Sequence, residues 1–157
     1  MFPSIIERLR GMPPRLEEAT LSLPQEILTL RAENGWSIQE HAGHFLDTEE
    51  LWQKRLEDFL TKREILTDAD LTHRKTKEAN HNANTLGRIL NQFRAERFKL
   101  VERLEQITEE EAALISRHPR LNKPIRLIDS CYFTADHDDY YMVLLRRLIM
   151  SIQNGTS

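Results

Sequence analysis

The chain has 157 residues, of which 39% are hydrophobic and 30% are charged, and its formal net charge is −3. This length and balance are typical of one folded domain with a single sizeable core, and they exclude a disordered chain. A slightly acidic chain lacks the basic face that usually binds nucleic-acid phosphates, so no nucleic-acid partner is expected.

Other features of the sequence predict where the protein works. No apolar run approaches the roughly 20 residues that span a bilayer, so no membrane partner is expected. The N-terminal segment contains Glu7 and lacks a small-residue cleavage site, so it does not resemble a signal peptide. Cys131 is the only cysteine, which excludes an intrachain disulfide and agrees with a reducing compartment. We therefore predict a cytoplasmic protein.

The first predicted helix covers residues 14–30. Glycine and proline are sparse along the chain, and the alternation typical of strands is hard to find, so the fold is predicted to be all-α. A break is expected near Leu23 and Pro24, because proline resists helix interiors. A turn is predicted at residues 33–35.

The second predicted helix has the clearest start signal. Ser37 and Glu40 form a capping-box pattern, in which each side chain accepts a hydrogen bond from a free backbone N–H. The apolar residues that follow have helical spacing; they are Ile38, Phe45, Trp52, Leu56 and Phe59. Residues 61–83 are polar and irregular, which predicts a long connection.

Two further long helices are predicted, over residues 84–106 and 125–152. Thr108 and Glu111 form a second capping-box pattern that opens a short helix between them. Residues 118–124 are predicted to be a loop because of their prolines. Long helices joined by long connections indicate an antiparallel up-and-down four-helix bundle, formed as one domain by residues 1–157.

Helical register places several polar side chains on the inner faces of two helices. On the fourth helix Tyr141 falls on the apolar stripe, His137 falls at its edge, and Asp138 points towards the core, whereas Asp136 and Asp139 point away. The apolar stripe itself contains Leu127, Cys131, Thr134, Leu145, Leu148 and Ile152.

The second helix repeats this arrangement. His41 lies near the middle of its apolar stripe, while His44 lies at the edge with Glu40, Asp47 and Thr48 on the same flank. Neutral imidazoles that converge in a bundle core are the usual ligands of zinc, nickel or iron. The alternative is that these are half-buried histidines hydrogen-bonded to their neighbours, and the spacing alone favours that alternative.

Several motifs together resemble the DinB/YfiT-like superfamily. Residues 35–49 read GWSIQEHAGHFLDTE and are similar to its Trp-Ser-x-x-Glu-x-x-x-His-Leu-x-Asp signature. Residues 78–80, 118–124 and 133–139 resemble further elements of the family in the same order. The resemblance implies an antiparallel four-helix bundle, commonly dimeric, with a divalent metal held by three histidines. One of these comes from the second helix and two from a His-x-x-x-His pair on the last helix.

The chain departs from this pattern at one metal ligand. His44 matches the histidine of the second helix, and His137 matches the first histidine of the pair. The second should stand at position 141, where this chain has Tyr141, and Tyr140 also stands where the family often has histidine. Two imidazoles alone would bind a metal weakly, because catalytic metals usually have three protein ligands.

Three interpretations of the altered site remain open. Tyr141 could ligate as a phenolate, although an ordinary pKa near 10 makes this costly unless the metal drives the deprotonation. Asp138 or Asp47 could supply an oxygen ligand, with Glu40 orienting a ligand from outside, and His41 could also be recruited. Alternatively, the metal has been lost and the ring of Tyr141 fills its cavity.

Two classes of function follow from the resemblance. The first is a metal-dependent enzyme, either a thiol transferase or a hydrolase, that contains zinc, nickel or iron and acts on a small molecule, in the transferase case with a low-molecular-weight thiol. The second is a non-catalytic bundle that binds a ligand or has a structural role. In both cases a homodimer is implied.

The remaining reactive side chains are predicted to be structural. Cys131 lies on an apolar stripe, where a free cysteine usually acts as a small hydrophobic residue. Trp36 and Trp52 are predicted to be packing anchors. Three histidines fall in predicted loops and are expected at the surface, although one of them, His81, could lie at the edge of the pocket; the other two are His73 and His118.

Overall fold

The computed structural model describes residues 2–33 and 35–155. Its helices are α1 (Phe2–Arg10), α2 (Met12–Thr20), α3 (Gln25–Leu28), α4 (Ile38–Leu60), α5 (Arg74–Glu78), α6 (Leu86–Glu105), α7 (Glu109–Ala112) and α8 (Leu127–Gly155). A 3₁₀ turn at His81–Ala83 precedes α6, and two short strands, β1 (Ile115–Arg117) and β2 (Pro124–Arg126), lie between α7 and α8.

The fold is the predicted all-α four-helix bundle. Its long helices are α4, α6 and α8, and the successive short helices α1 and α2 form the fourth side. Helix α4 packs against both α6 and α8, while α1 packs against α6 and α8 from the other side of the bundle. The two helices that contain the predicted metal ligands, α4 and α8, are therefore neighbours.

Both capping boxes predicted from the sequence are present. Ser37 accepts a hydrogen bond from the backbone N–H of Glu40, and the Glu40 carboxylate accepts one from the backbone N–H of Ser37. The same reciprocal pair is formed by Thr108 and Glu111 at the start of α7. The start of the long helix α4 is thus fixed by its own sequence.

The prediction of one helix over residues 14–30 was wrong at its start. The chain is already helical from Phe2, and the buried side chains of Ile5, Ile6 and Leu9 anchor α1 in the core. Helix α2 begins after Gly11 with proline in its first turn, where the missing N–H has no helical partner to lose. The predicted break is confirmed, because Pro24 is the N-cap of α3. The predicted turn includes position 34, which lies outside the described residues.

The connections contain more structure than the sequence predicts. Residues 61–83 include α5 and the 3₁₀ turn. Strands β1 and β2 form an antiparallel hairpin in which Ser116 pairs with Ile125, so the predicted loop is limited to the segment between the two strands. Alternation over only three residues is too short a pattern for a prediction from sequence. Helix α8 starts after this hairpin, two residues later than predicted.

Two apolar clusters make up the core, one towards each end of the bundle. The first joins α1, the second half of α4, the second half of α6 and the start of α8; it includes Ile5, Leu9, Leu56, Phe59, Leu100, Leu104, Leu127 and Ile128. The second joins α2, the first halves of α4 and α6 and the second half of α8; it includes Met12, Leu16, Phe45, Ile89, Phe93, Met142 and Leu145. Within the described residues no helix has both the length and the apolar character needed to cross a membrane.

Candidate functional site

The side chains that sequence register placed inward on α4 and α8 come together. The ring centres of His44 and His137 are 5.5 Å apart. The ring of Tyr141 lies 4.4 Å from that of His44 and 4.5 Å from that of His137. We call His44, His137 and Tyr141 the histidine cluster. It joins one turn of α4 to two successive turns of α8, which is the geometry that spacing of four residues on a helix provides.

A chain of hydrogen bonds fixes the orientation of His44. The hydroxyl of Thr76 donates its only hydrogen to Asp47 Oδ2 at 2.8 Å, so it can only accept from His44 Nδ1, which lies 3.2 Å away. The neutral imidazole therefore has its hydrogen on Nδ1 and a lone pair on Nε2. That Nε2 atom is buried and has no hydrogen-bond partner among the residues that the structure describes.

His81 lies in the connection before α6 and also contacts Asp47. We call the chain of hydrogen bonds from Asp47 through Thr76 to His44 the relay. The Nε2 atom of His81 lies 2.8 Å from Asp47 Oδ2, the same oxygen that accepts from Thr76. The ring rests directly against α4 at Gly43, where a Cβ atom would overlap it. A helical glycine is needed here for close approach, and it places His81 within reach of Asp47. The expectation that His81 lies at the surface was wrong, because it is buried.

Burial keeps the imidazoles of the site neutral. Desolvation, and then the neighbouring His137 and His73, lower the pKa of His44 to about 3. The pKa of His137 is lowered to about 4, again chiefly by desolvation and then by Arg97. The Nδ1 atom of His137 is buried without a partner. Both rings are thus unprotonated at neutral pH, as imidazole ligands must be.

The third predicted ligand has a different chemistry. Burial raises the pKa of Tyr141, so its phenol stays protonated at neutral pH in the absence of a metal. Across the described ranges of the chain, no three His, Cys, Asp or Glu side chains converge closely enough to hold a metal ion. Both histidines thus fit a divalent metal by their neutral state, and His44 also by its free lone pair, whereas the third place is occupied by a neutral tyrosine.

Two of the predicted carboxylates are already engaged elsewhere, namely Asp138, which was expected as an oxygen ligand, and Glu40, which was expected to orient a ligand from outside. Both oxygens of Asp138 accept hydrogen bonds from Arg97, at 2.6 and 3.1 Å. The Glu40 carboxylate closes the helix cap at Ser37 and pairs with Arg31. We therefore do not assign Asp138 or Glu40 as ligands. Asp47 acts on the site through Thr76 and His81 rather than by facing both imidazoles.

Asp138 belongs to a buried ionic group that sequence reasoning missed. Arg97 on α6 donates to Asp138 on α8, to Glu49 on α4 at 2.6 Å and to the carbonyl oxygen of Leu9 at 3.1 Å. We call Glu49, Arg97 and Asp138 the ionic triad. On each helix its member lies between residues of the two apolar clusters. The signal in the sequence was the charge of Glu49 and Arg97 at positions where the helical stripe demands apolar side chains.

His73 is a further site residue that the sequence did not predict. It was expected at the surface, but its ring lies 5.1 Å from His44, 5.2 Å from Trp36 and 6.4 Å from Tyr141. Its backbone is left-handed, with φ 54°, at the N-cap of α5. Histidine is one of the residue types enriched in this conformation, and the conformation turns the connection so that the side chain reaches the cluster.

The other aromatic rings near the cluster, and the thiol of Cys131, pack against neighbouring side chains. Trp36 also contacts His41 edge-on at 5.3 Å, and Trp52 contacts His137 at 5.1 Å. His41 is half-buried, with its Nδ1 atom enclosed and unpartnered. Burial raises the pKa of the Cys131 thiol to about 12, which agrees with a small hydrophobic residue rather than a nucleophile.

His118 differs from its prediction as well. It was expected at the surface, but it is buried beside the hairpin loop, and its Nδ1 atom accepts backbone N–H groups of Arg120 and Leu121 at 3.3 and 3.2 Å. This histidine therefore shapes the loop between β1 and β2 and takes no part in the cluster.

A cavity of about 540 Å³ opens onto the histidine cluster. Its walls come from α4, α5, α8 and the connection between α4 and α5; they include His44, His73, His137, Tyr141, Trp52 and Arg55. A second cavity of about 640 Å³ shares Tyr141 and His73 with the first and is also lined by Trp36 and His41. The volume suits a small molecule.

Comparisons with known proteins agree with this fold. A family model described as the DinB superfamily matches residues 8–140, a match that ends one residue before Tyr141. YfiT from Bacillus subtilis, described as a probable metal-dependent hydrolase with an unusual four-helix bundle topology, superposes with a TM-score of 0.85 at 15% identity. That superposition covers 97% of this chain and 87% of YfiT.

A second structural neighbour is a mycothiol-dependent maleylpyruvate isomerase. It superposes with a TM-score of 0.72 at 8% identity, over 91% of this chain and 60% of the isomerase. At these identities the two structures show the fold alone. Among curated proteins, none matches the sequence.

Proposed function

The chain belongs to the DinB superfamily, and from that premise we propose that it is a metal-dependent enzyme whose active site is the histidine cluster. His44 and His137 would hold a divalent metal, zinc, nickel or iron, and Tyr141 would occupy the third position. When bound, the metal would act as a Lewis acid towards a water molecule or a thiol.

The observation behind this proposal is the free lone pair of His44. The relay from Asp47 through Thr76 holds the hydrogen on Nδ1 and leaves Nε2 buried without a partner. A buried nitrogen that makes no hydrogen bond costs free energy, about 1 to 3 kcal/mol, unless a ligand completes it. A carboxylate that orients a ligand histidine through its other nitrogen is the usual surrounding of metal-bound imidazoles.

The residues in and around the cluster would have separate roles in orienting the ligands of the metal. Asp47 and Thr76 hold the tautomer and the ring orientation of His44. Burial raises the pKa of Tyr141, so its role as the third ligand would require that the bound metal drive its deprotonation. His44 is buried, and the low polarity around it strengthens these polar interactions.

The class of reaction is proposed from the structural neighbours. One is described as a probable metal-dependent hydrolase and the other as a mycothiol-dependent isomerase. We infer a hydrolase or a thiol transferase that acts on a small molecule, with a low-molecular-weight thiol as the second substrate in the latter case. The protein would work in the cytoplasm, where such thiols and a reduced Cys131 are maintained.

A specific observation also favours the alternative, a bundle that has lost its metal. The ring of Tyr141 packs within 4.5 Å of both imidazole rings, where a third ligand and the ion would lie. In that case the protein is non-catalytic, and the cavity binds a ligand or the cluster has a structural role.

Metal binding by three proteins separates these two functions. We would measure zinc and nickel affinity by calorimetry for the wild type, Tyr141→His and Tyr141→Phe, and the metal content of wild-type protein purified without an affinity tag. If Tyr141 ligates, Tyr141→Phe should weaken binding strongly while Tyr141→His changes it little. If Tyr141 only replaces a lost ligand, Tyr141→His should strengthen binding by about 10-fold to 100-fold or more.

Two results would contradict the enzyme proposal. The first is a wild-type protein that binds no metal while Tyr141→His does, which would assign the chain to the non-catalytic alternative. The second is equal binding by all three proteins, which would place any metal away from Tyr141. Circular dichroism of each variant provides the control for folding.

We also propose that the protein is a homodimer. Several large apolar side chains on α8 are exposed, among them Tyr140, Val143 and Met150 at 60%, 47% and 60%. Apolar residues on one face of a long helix are typical of a helix-to-helix interface. A monomeric mass by light scattering at micromolar concentration would contradict the dimer.

A further inference from the structure

Arg55 is a buried cation that lies in the wall of the first cavity, the one of about 540 Å³. It comes from α4 and is only 5% exposed. Its Nε atom donates to the carbonyl oxygen of Thr67 at 3.0 Å, whereas its Nη2 atom is buried and has no partner. Its guanidinium carbon lies 5.8 Å from the ring centre of Trp52.

No carboxylate in the described part of the chain forms an ion pair with Arg55. The two nearby candidates are engaged elsewhere. Asp58 accepts from Arg63 at 3.1 Å and from the backbone N–H of Thr67 at 2.6 Å. Asp68 accepts from the backbone N–H of Ala69 and faces Arg120 at 3.5 Å. A buried guanidinium without a counter-ion is costly, because its lost hydration is not replaced.

Three carboxylates in the cavity wall are engaged by other groups. Glu50 pairs with Lys54 and Lys75, both at 2.6 Å. Asp47 is engaged by Thr76 and His81, and Asp70 accepts three hydrogen bonds within its own turn. Desolvation and then the charge of Arg120 lower the pKa of Arg55, and the charges of Asp68 and Asp58 oppose this only in part. An anion beside Arg55 would relieve both effects.

The position of Arg55 relates it to the histidine cluster. Trp52 lies between them, with its ring 5.8 Å from the guanidinium carbon and 5.1 Å from the ring of His137. All three side chains line the same cavity. A small molecule held by Arg55 could thus lie along the indole ring and place its other end at His137.

We propose that Arg55 binds an oxyanion group, a carboxylate or a phosphate, of the small molecule that enters this cavity. The planar guanidinium donates parallel N–H groups that match the two oxygens of either anion. The role of this molecule as a substrate rests on the function proposed above, but the binding of the anion does not require metal or turnover.

Three probes of similar size test this site. Benzoate, phenyl phosphate and the neutral benzamide are titrated into the full chain at neutral pH, with and without EDTA, and followed by calorimetry and by tryptophan fluorescence. Benzoate or phenyl phosphate should bind saturably, and whichever binds more tightly identifies the anion. Benzamide should bind at least about tenfold more weakly, because it lacks the charge that a buried arginine requires. Equal binding of benzamide and the anions would overturn the proposal.

Variants assign the binding to Arg55. Arg55→Met keeps an unbranched apolar side chain against Trp52 and should weaken anion binding at least about tenfold. Arg55→Lys keeps the charge but lacks the planar guanidinium, so its anion affinity should lie between those of the wild type and Arg55→Met. Arg146→Met removes an equal charge from an exposed position of α8 and should change nothing. Anion binding by a folded Arg55→Met protein with wild-type affinity would overturn the proposal.

A measurement on the wild type covers the case in which Arg55→Met does not fold. The Arg55 Nε–H group is hydrogen-bonded and buried, so its nitrogen-15 signal should be observable, and saturating benzoate or phenyl phosphate should shift it. If neither benzoate nor phenyl phosphate shifts this signal, the proposed anion site is contradicted. One series contains EDTA, so anion binding at Arg55 is measured without metal. A failure of the proposed metal-dependent function therefore leaves the anion site standing, and a failure of anion binding leaves the proposed function standing.

Discussion

The ionic triad and the histidine cluster are two buried polar groups that join the same helices, α4 and α8, but they differ in how far their hydrogen bonds are satisfied. In the triad, Arg97 uses Nε, Nη1 and Nη2 and reaches Glu49, Asp138 and a backbone carbonyl. In the cluster, His44 Nε2 and His137 Nδ1 have no partner. Since buried polar atoms are nearly always paired, the unpaired ones indicate a place for a ligand.

This difference separates structure from function in one bundle. A network whose donors and acceptors are all matched orients the helices and leaves nothing for a ligand to bind. The triad thus sets how α4, α6 and α8 pack at the level between the two apolar clusters. The cluster depends on that packing, because His137 and Asp138 are consecutive on α8 and face different partners. The comparison predicts different responses to substitution and to pH.

Removing the centre of the triad should have the largest effect. Arg97→Met leaves two carboxylates buried without a counter-ion, and breaking a buried ion pair in this way costs about 3 to 5 kcal/mol. Urea unfolding at pH 7 would measure the loss of free energy of unfolding. Arg103→Met is the matched control on the same helix, because Arg103 pairs with Glu57 at the surface, and its loss should cost about 1 kcal/mol or less.

The stability that Arg97→Met loses relative to the wild type should be larger at pH 7 than at pH 5, since protonation removes the unpaired charges while the histidines act equally in both proteins. Burial already raises the pKa of Glu49 to about 6. An unchanged stability at pH 7 would show that the triad does not hold the bundle together.

Acid should destabilise the metal-free protein through its histidines. His44, His137 and His41 have pKa values of about 3, 4 and 4 when folded, whereas an unfolded histidine titrates near 6.5. Between these values only the unfolded chain takes up protons, so the stability is complete above about pH 6.5 and falls as the pH drops. From pH 7 to 5.5 each histidine contributes a loss of slightly more than about 1 kcal/mol. Glu49 contributes a change of opposite sign of less than about 1 kcal/mol, so the net loss is about 3 kcal/mol.

Urea unfolding in EDTA at several pH values would measure this slope. A His44→Leu variant should lose its own share of the pH dependence, because leucine takes up no proton in either state. If the free energy of unfolding does not change from pH 7 to 5.5, the histidines take up protons in the folded protein as they do in the unfolded chain. The histidine cluster would then not differ from the ionic triad in the way proposed here.

The smallest expected loss of stability comes from a substitution at Gly43, where the ring of His81 packs against α4. Gly43→Ala places a methyl group where the His81 ring lies, so the ring must swing away from Asp47. We expect a loss of about 1 to 2 kcal/mol, within the range for overpacked positions, because a ring on a 3₁₀ turn can move. Metal affinity, if present, should also fall as the relay to His44 loosens.

Gly87→Ala is the control for this change. A Cβ atom at Gly87 has no neighbour within 4 Å, so alanine should be neutral or should stabilise α6 by about 0.5 to 1 kcal/mol through its higher helix propensity. Equal effects of the two substitutions would show that the approach of His81 to α4 does not matter.

Sequence alone predicted the parts of the site that depend on local periodicity. Ser37 and Glu40 fix the start of α4, and counting from there at helical spacing places His44 inward. The same counting on α8 places His137, Asp138 and Tyr141 inward. That their side chains then meet depends on α4 and α8 being neighbours, which the family resemblance implied and the structure shows.

Local periodicity could not supply the partners that come from the connections. His73 and His81 lie in a polar stretch without a repeating pattern, and nothing in that stretch indicates that it folds back onto α4. Their placement follows from long-range contacts, namely the close approach to Gly43 and the hydrogen bonds of Asp47 with Thr76 and His81. Such contacts pair residues about 30 positions apart.

By itself, the sequence determined the all-α fold, the capped starts of α4 and α7, and the faces on which His44 and His137 lie, because each follows from interactions within a few residues along one helix. Only the tertiary structure decided what those faces meet. It paired Asp138 with Arg97 rather than with the cluster, and it left Arg55 without a carboxylate. The physical reason is that a buried charge finds its partner across helices, and one-dimensional spacing does not contain that information.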